Sequence, residues 1–433
     1  MFKKFFIFIT LVLVTFNCSK KIDEVSETVS SFPVLAYDAE LLETLTLDKK
    51  NIIIDEPNEI LYWSQHFQNP KNNLNHIKSN SNFKNKKKIM SGKNSLLNII
   101  QPIYFSDKIC NVSNNGFLDC YDLINENSLF RTNLKPDGIE DYEVIRGGIA
   151  YFNGQIISVD AYGQVVSIDS EDGSIKWSTN IGFPVLSPPL IYRDNIYFIS
   201  SDNRIFCISI ASGDVEWSFQ TISETRKNLF TASPVAYENI IVAPFSNGEL
   251  VAFLYDTGRP VWSESLAKVT MVSNFDIKDI SASPVIYKNN LFALSSNGKL
   301  ASVNIINGQR NWSINLSGYR TPLVTGNQIY VINNDGKLVC IDIKSGDIYW
   351  ITDLGKFKKG KKAENLNLWL GPFLINENLY ILSYFGELKI VSPFTGSIIS
   401  SQDVGIDKIL VPPVITTEAI FVSNENSHVF KFQ

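Results

Sequence analysis

A glycine followed by three residues and a tryptophan recurs five times along this chain, and this repeat restricts the folds open to it. The tryptophan ends the segments DGSIKW, SGDVEW, TGRPVW, NGQRNW and SGDIYW, at Trp177, Trp217, Trp262, Trp312 and Trp350. A second turn residue, glycine or asparagine, stands fourteen positions before each tryptophan. Self-similarity with a period of about 38 to 50 residues indicates an array of identical supersecondary units.

Each unit reads as four short antiparallel strands, which is one blade of a β-propeller. Apolar strands such as RIFCISI and KLVCIDI lie between the two turn residues, and a further pair of apolar runs precedes them, as in SPVAYENIIVAP. Glycine or asparagine suits turns that need positive φ. Weaker copies keep the frame with Phe130 and Ser400 at the tryptophan position, which gives seven register positions. The pattern predicts an all-β propeller.

The two ends of the chain are predicted to complete the ring together. After Ser400 the sequence supplies only three strands, which end at Gln433. A strand from the N-terminal part, EILYWSQ with Trp63, would complete an eighth blade and leave no open sheet edge. We therefore predict an eight-bladed β-propeller of four-stranded antiparallel blades over residues 57–433, closed by N- and C-terminal strands, with a polar insertion at about 70–97.

The repeated tryptophans and the cysteines read as packing residues. A tryptophan at one place in successive blades can pack between neighbours and donate its indole N–H to a backbone carbonyl, whereas a ligand-stacking row would need the rings together. Cys120, Cys207 and Cys340 share one repeat position in different blades and are predicted core residues. Cys110 lies across a predicted hairpin from Cys120, and the sequence is compatible with a disulfide or with two thiols.

The N-terminus reads as an export signal. Two lysines precede an apolar run from Phe5 to Phe16 that is too short to span a bilayer, and Cys18 follows it. This arrangement resembles a bacterial lipoprotein signal, and it predicts a signal peptide over 1–17, lipidation of Cys18 and a tether over 18–56. A plain signal peptide and an uncleaved anchor are the alternatives. The net charge of −5 argues against general nucleic-acid binding.

The Gly-x-x-x-Trp turn and the apolar strands before it resemble the pyrroloquinoline-quinone-type propeller repeat. Together with the lipoprotein-like signal, they make the chain similar to the BamB family of outer-membrane protein assembly factors, from Pro57 to Gln433. The resemblance implies a non-catalytic scaffold without a cofactor, anchored by lipid in the outer membrane and facing the periplasm. It also implies docking on the POTRA domains of the barrel-forming BamA subunit, and contact with unfolded outer-membrane clients.

The resemblance also supplies candidate docking residues. The loops that follow Trp217 and Trp262 are long and belong to adjacent blades, so we expect them to form one ledge together. In the family this ledge contacts the BamA subunit through Arg, Leu and Asp side chains. The candidates in this sequence are Arg226, Leu229, Asp276 and Asp279. The sequence departs from the family at two of these positions. Where the family has a second aspartate, this chain has Ser281, and Arg226 lies further from the start of the next blade than the corresponding arginine of the family does.

Two other classes of function are compatible with the repeat. A quinone-dependent oxidoreductase would need a catalytic Asp, a calcium site of carboxylate and amide oxygens, and usually vicinal cysteines, and the sequence has no Cys-Cys pair. The histidines His66, His76 and His428 show no metal-ligand spacing, so we predict no catalytic and no metal site. A propeller that binds cell-wall sugars or other secreted proteins would gather aromatic residues at the mouth of its funnel.

Overall fold

A computed structural model describes residues 52–92, 99–136, 138, 146–222, 231–267, 279–296, 298–358 and 366–433. These residues form strands and turns, and no helix among them could cross a membrane. The strands assemble into eight sheets with four strands each, of which one is extended by two short additional strands. Neighbouring strands within each blade are antiparallel. The eight-bladed propeller predicted from the repeat is thereby confirmed.

The strands are numbered in chain order. Three precede the first blade: β1 Asn58–Glu59, β2 Ile77–Lys78 and β3 Lys86–Met90. Blades 1 to 4 consist of β4 Ile103–Phe105, β5 Lys108–Val112, β6 Phe117–Asp122, β7 Asn127–Asn133; β8 Gly147–Phe152, β9 Gln155–Asp160, β10 Gln164–Asp169, β11 Ile175–Asn180; β12 Leu190–Tyr192, β13 Asn195–Ile199, β14 Arg204–Ser209, β15 Val215–Gln220; β16 Val235–Tyr237, β17 Ile240–Pro244, β18 Glu249–Leu254 and β19 Pro260–Ser265.

The second half of the ring continues in the same order. Blades 5 to 8 consist of β20 Val285–Tyr287, β21 Asn290–Leu294, β22 Leu300–Asn304, β23 Arg310–Ile314; β24 Leu323–Thr325, β25 Gln328–Ile332, β26 Lys337–Asp342, β27 Ile348–Asp353; β28 Trp369–Ile375, β29 Asn378–Ser383, β30 Glu387–Val391, β31 Ile398–Asp403; β32 Val414–Ile415, β33 Ile420–Ser423 and β34 Val429–Phe432. The middle two strands of most blades are buried, and the fourth strand is largely exposed.

The five repeated tryptophans join neighbouring blades, as predicted. Each indole N–H donates to a backbone carbonyl of the next blade, at 2.9 to 3.1 Å. The pairs are Trp177 with Ile210, Trp217 with Tyr255, Trp262 with Ile305, Trp312 with Ile343 and Trp350 with Pro393. The accepting carbonyl always lies three residues before the repeat glycine of that next blade. The tryptophans are therefore structural residues of the seams.

The spacing of glycine and tryptophan follows from this contact. Gly258 has a φ of +66°, and a Cβ there would lie 2.5 Å from the ring of Trp217 in the preceding blade. The turn therefore needs glycine for its backbone conformation and also for the room that the ring occupies. In blade 1 the ring of Phe130 takes the same place against Gly173, which confirms Phe130 as the register residue of that blade.

The strand that completes blade 8 differs from the predicted one. Strand β3 pairs antiparallel with β34, whereas Trp63 forms a single bridge with Tyr104 in blade 1. Closure by both ends of the chain is confirmed, but the assignment of the strand to EILYWSQ was wrong. Strand β3 reads KKKIM, and its lysines are exposed because it is an outer strand, where lysine is common. In the sequence the same lysines resemble a solvated polar insertion.

The cysteines pack as the repeat frame predicts, and one pair is bonded. Cys207 and Cys340 are buried thiols, and burial raises the pKa of each above its ordinary value. Cys110 and Cys120 face each other directly across β5 and β6 with their Cα atoms 4.2 Å apart, and they form a disulfide. Of the two arrangements compatible with the sequence, the structure contains the disulfide, which suits an oxidising compartment.

Candidate functional site

The antiparallel order of the strands gives the propeller two different faces. The connections between blades and the turns between second and third strands lie at one end, which we call the loop face. The turns between first and second strands and between third and fourth strands lie at the other end, which we call the plug face. The loops after Trp217 and Trp262 connect blades, so the predicted ledge belongs to the loop face.

The plug face is named for the segment Ile52–Asn80, the plug segment, which bonds to all eight blades. Most of these hydrogen bonds go to the innermost strand of a blade or to the turn after it. The pairs, in blade order from 1 to 8, are Trp63 with Tyr104, Ser64 with Tyr151, Gln65 with Ile191, Pro70 with Ala236, Lys71 with Ile286, Ile53 with Asn327, Ile77 with Asn376 and Ile60 with Thr417. Ile52–Asp55 thus lies ahead of the predicted domain start at residue 57 and already contacts blade 6.

Asn72 of the plug segment is a buried residue that bonds to two blades. Its buried amide donates to the carbonyls of Pro234 and Pro284, both at 3.2 Å, and so links blades 4 and 5. The prolines that begin the innermost strands therefore contribute their carbonyls to the wall of the channel. With its hydrogen bonds to all eight blades, the plug segment spans the channel at this end of the propeller.

A cavity of about 70 Å³ remains in the channel above the plug segment. Its lining includes His66, Phe67 and Leu74 of the plug segment, and Arg320 of the connection before blade 6. Burial lowers the pKa of His66 to about 4, although a hydrogen bond with Gln101 raises that pKa in part. The imidazole is therefore neutral at neutral pH. Burial likewise lowers the pKa of Arg320, whose Nε donates to the carbonyl of Trp369 at 2.9 Å.

The structure places one of the predicted docking residues. Asp279 lies at the start of blade 5 on the loop face, where it is 5 % exposed, and it interacts electrostatically with Arg146 at the start of blade 2. Its backbone carbonyl accepts hydrogen bonds from the backbone and the hydroxyl of Ser296. Ser281, which stands at the second family aspartate, is also buried. Arg226, Leu229, Asp276 and the lipidation candidate Cys18 lie outside the described residues.

Two buried or half-buried arginines, Arg146 and Arg320, were not predicted from the sequence. A signal was available for Arg320: it directly precedes the Thr-Pro pair of its blade, where two other blades place alanine before Ser-Pro, at Ala232 and Ala282. Arg146 precedes Gly147 and Gly148, where other blades have a Ser-Pro or Thr-Pro pair. The repeat therefore offers no equivalent position in another blade with which Arg146 could be compared.

The fold and its seams define a class of protein: an eight-bladed propeller with pyrroloquinoline-quinone-like repeats, in which a tryptophan of one blade packs on a glycine of the next. The profile of the family described as outer membrane protein assembly factor BamB matches residues 114–352. This match covers more than half of the sequence, and the chain belongs to that family.

Individual relatives are distant. The outer membrane protein assembly factor BamB of Nitrosomonas eutropha is 22% identical over 184 residues, a segment that covers 42% of this chain and 43% of the relative. The match thus spans less than half the length of this curated relative.

Among solved structures, BamB from Moraxella catarrhalis superposes with a TM-score of 0.66 at 18% identity, over 79% of this chain and all of that one. A europium-containing methanol dehydrogenase reaches the same TM-score at 13% identity, over 89% and 91% of the two chains. At such identities the two structures show the fold alone.

Proposed function

We propose that this protein is a non-catalytic scaffold lipoprotein of the machinery that inserts β-barrel proteins into the outer membrane. The observation that carries the proposal is the family match over residues 114–352, which includes both long loops of the predicted ledge. Lipidated Cys18 would hold the propeller on the outer membrane, facing the periplasm. Several acyl chains on one residue anchor a protein far more firmly than one chain does.

The loop face is the proposed docking surface for the barrel-forming subunit. Arg226, Leu229 and Asp276 lie on the two loops that form the ledge. Asp279 lies at the base of the second loop and pairs electrostatically with Arg146, so its part in docking is to fix the base of that loop. Exposed fourth strands, such as β15 and β19, are a secondary proposal as sites where unfolded clients add a strand.

The structural likeness to a methanol dehydrogenase makes a quinone-dependent oxidoreductase the second candidate. Its cofactor would occupy the channel, where the plug segment leaves about 70 Å³, well below the ~300 Å³ at which ligand pockets begin. Among the described residues that line this cavity there is no Asp or Glu, and calcium takes six to eight oxygen ligands that are largely carboxylates. These residues do not fit a quinone with calcium, and this supports the scaffold.

The test is a pull-down from native membranes in mild detergent, followed by mass spectrometry. We expect the barrel-forming subunit to copurify with the wild-type lipoprotein, and to be lost from a variant that combines Arg226→Glu with Asp276→Lys. Lys344→Glu is the matched control, because Lys344 is exposed on a turn of the plug face. Wild-type material that carries other periplasmic proteins and no barrel-forming subunit would contradict the proposal.

Asp279→Lys tests in the same assay whether this residue acts through the stability of the loop face or through docking. Since Asp279 is buried and interacts with Arg146, charge reversal is expected to destabilise the loop face as well as to weaken docking. A thermal melt of each variant separates the two effects: the variant with Arg226→Glu and Asp276→Lys should melt like wild type, and Asp279→Lys should melt earlier.

A further inference from the structure

A second candidate site lies on the plug face, away from the proposed docking surface. It is a groove of about 590 Å³ between the plug segment and blades 3, 4 and 5. Its main walls are three tyrosines and a run of amide side chains: Tyr192, Tyr237, Tyr287, Gln68, Asn69 and Asn73. Its volume falls within the range of small-ligand sites, which combine aromatic walls with a few well-placed polar groups.

The three tyrosines occupy equivalent positions in their blades. Each is the last residue of an innermost strand, β12, β16 or β20, and each is partly exposed. Each hydroxyl is held by a hydrogen bond: Tyr192 donates to the carbonyl of Glu238, Tyr237 to Oδ1 of Asn289, and Tyr287 to the carboxylate of Asp55. The rings are therefore fixed along an arc before any ligand arrives, which lowers the entropy lost on binding.

Asn73 adds a buried polar side chain to the wall of the groove. The residue is 5 % exposed, and its Oδ1 has no hydrogen-bond partner among the described residues. Asn69 donates to the backbone carbonyl of Asn73 at 2.7 Å, which holds this turn of the plug segment in place. A buried acceptor without a partner lowers the stability of a fold. A ligand in the groove that donates an O–H or N–H would satisfy it after a rotation of the Asn73 amide, because Oδ1 is buried before the ligand binds.

Backbone pairing is not available to a ligand here. The N–H groups of Ile191, Ala236 and Ile286, on the inner edges of the same three strands, already donate to Gln65, Pro70 and Lys71 of the plug segment. An extended peptide therefore has no open strand to join in this groove. The ligand must be recognised through aromatic faces and amide groups.

The charges of the groove are mixed. Lys71 and Lys288 lie over the rings of Tyr237 and Tyr287, at 5.5 and 5.0 Å from their centroids, and Glu238 lies beside them. Such a groove offers no concentrated charge to a polyanion. Flat aromatic faces together with amides suit a ligand whose rings carry an apolar face and a polar edge.

We propose that this groove binds an extended glycan of pyranose rings that carry hydroxyl or acetamido groups. Its rings stack on Tyr192, Tyr237 and Tyr287, and one of its O–H or N–H groups donates to Oδ1 of Asn73. A protein exported to the cell envelope would meet such glycans in the cell wall. Because the groove lies on the plug face, glycan binding is separable from docking through the loop face.

The test uses the whole propeller protein and a tetramer of β-1,4-linked N-acetylglucosamine as the probe, with titration calorimetry and saturation-transfer NMR. We expect saturable binding by wild type. Asn73→Ala should weaken it about tenfold, the scale of one buried hydrogen bond, while its melting temperature stays equal to or above that of wild type. The reason is that removal of Oδ1 breaks no hydrogen bond among the described residues.

Ring stacking is tested separately at Tyr237. Tyr237→Leu should weaken binding, and Tyr237→Phe, which keeps the ring and loses only the bond to Asn289, should retain it. Tyr62→Leu is the control, because Tyr62 is an exposed aromatic residue of the plug segment outside the groove. Absence of binding at millimolar tetramer would overturn the proposal, as would equal binding by wild type, Asn73→Ala and Tyr237→Leu. A peptide that binds at these residues where the tetramer does not would also overturn it.

Discussion

The seams between blades and the plug segment hold the same ring together in different ways. At five seams one geometry recurs: a tryptophan ring on a glycine, with its N–H bonded to a carbonyl three residues before that glycine. The plug segment contains no such repeated pair of residue types, and its hydrogen bonds to the blades come from residues of many kinds, some of which bond to two blades. A repeated contact can be recognised in a sequence, whereas a set of unique contacts cannot.

The largest expected effect lies at a tryptophan seam. Trp350 is 3 % exposed and donates to Pro393, so Trp350→Ala should lower the free energy of unfolding by about 3 to 5 kcal/mol. Ser400 holds the same register position between blades 7 and 8 and is exposed. Ser400→Ala should change the free energy of unfolding by less than about 0.5 kcal/mol. Denaturant unfolding measures both, and equal losses would contradict the role given to the tryptophan.

The glycine on the other side of a seam gives the next largest effect. Gly258→Ala places a methyl group against Trp217 and also requires an L-residue at positive φ, so we expect a loss of about 3 kcal/mol. Gly154→Ala is the matched control, because its φ is +80° and a Cβ there would meet no atom within 4 Å. It should cost about 1 kcal/mol, for backbone conformation alone. Similar losses in the two variants would show that the ring contact adds nothing.

In the plug segment, His66 should make stability depend on pH. Its pKa is about 4 in the folded protein and 6.5 in the unfolded chain, so the unfolded state binds more protons between these values. The free energy of unfolding is therefore highest above pH 6.5 and falls as the pH is lowered towards 4. The expected decrease between pH 6.5 and 4.5 is about 2 kcal/mol. We expect His66→Gln to unfold with a flatter pH dependence than wild type over this window. Parallel pH profiles would contradict the burial of a neutral imidazole.

The smallest effect is expected at Asn72. Its amide makes two hydrogen bonds to carbonyls in blades 4 and 5, and Asn72→Ala should cost about 1 to 2 kcal/mol. Asn75→Ala, at an exposed position of the same segment, should fall within about 0.5 kcal/mol of wild type. Thermal unfolding of the pair tests whether the plug segment contributes to the stability of the ring or only covers it.

The sequence was sufficient to predict the parts of the fold that repeat. Glycine and tryptophan spacing identified the blades, their number and the bonding of the indoles, because the same local geometry recurs at fixed positions. Phe130 was found at its register position for the same reason. The closing strand Lys86–Met90 was missed because an outer strand tolerates lysine, and three lysines in a row resemble a solvated segment.

The sites were less predictable than the fold. The plug segment takes its position from contacts with residues up to several hundred positions away, as between Ile60 and Thr417, and no local pattern encodes them. The tyrosine arc was present in the sequence as the last residue of three innermost strands. These tyrosines form a candidate binding groove only together with the amide side chains of the plug segment, which lie next to them in the folded chain. Docking residues came from the family resemblance and stay predictions.

The most direct test of the scaffold compares the two faces by site-specific photocrosslinking in intact membranes. The crosslinker is placed at Ile222, which is 79 % exposed at the start of the first ledge loop, and separately at Ile306, which is 54 % exposed on a turn of the plug face. We expect a crosslink to the barrel-forming subunit from residue 222 and none from residue 306. A crosslink from residue 306 alone, or from neither position, would contradict docking through the loop face.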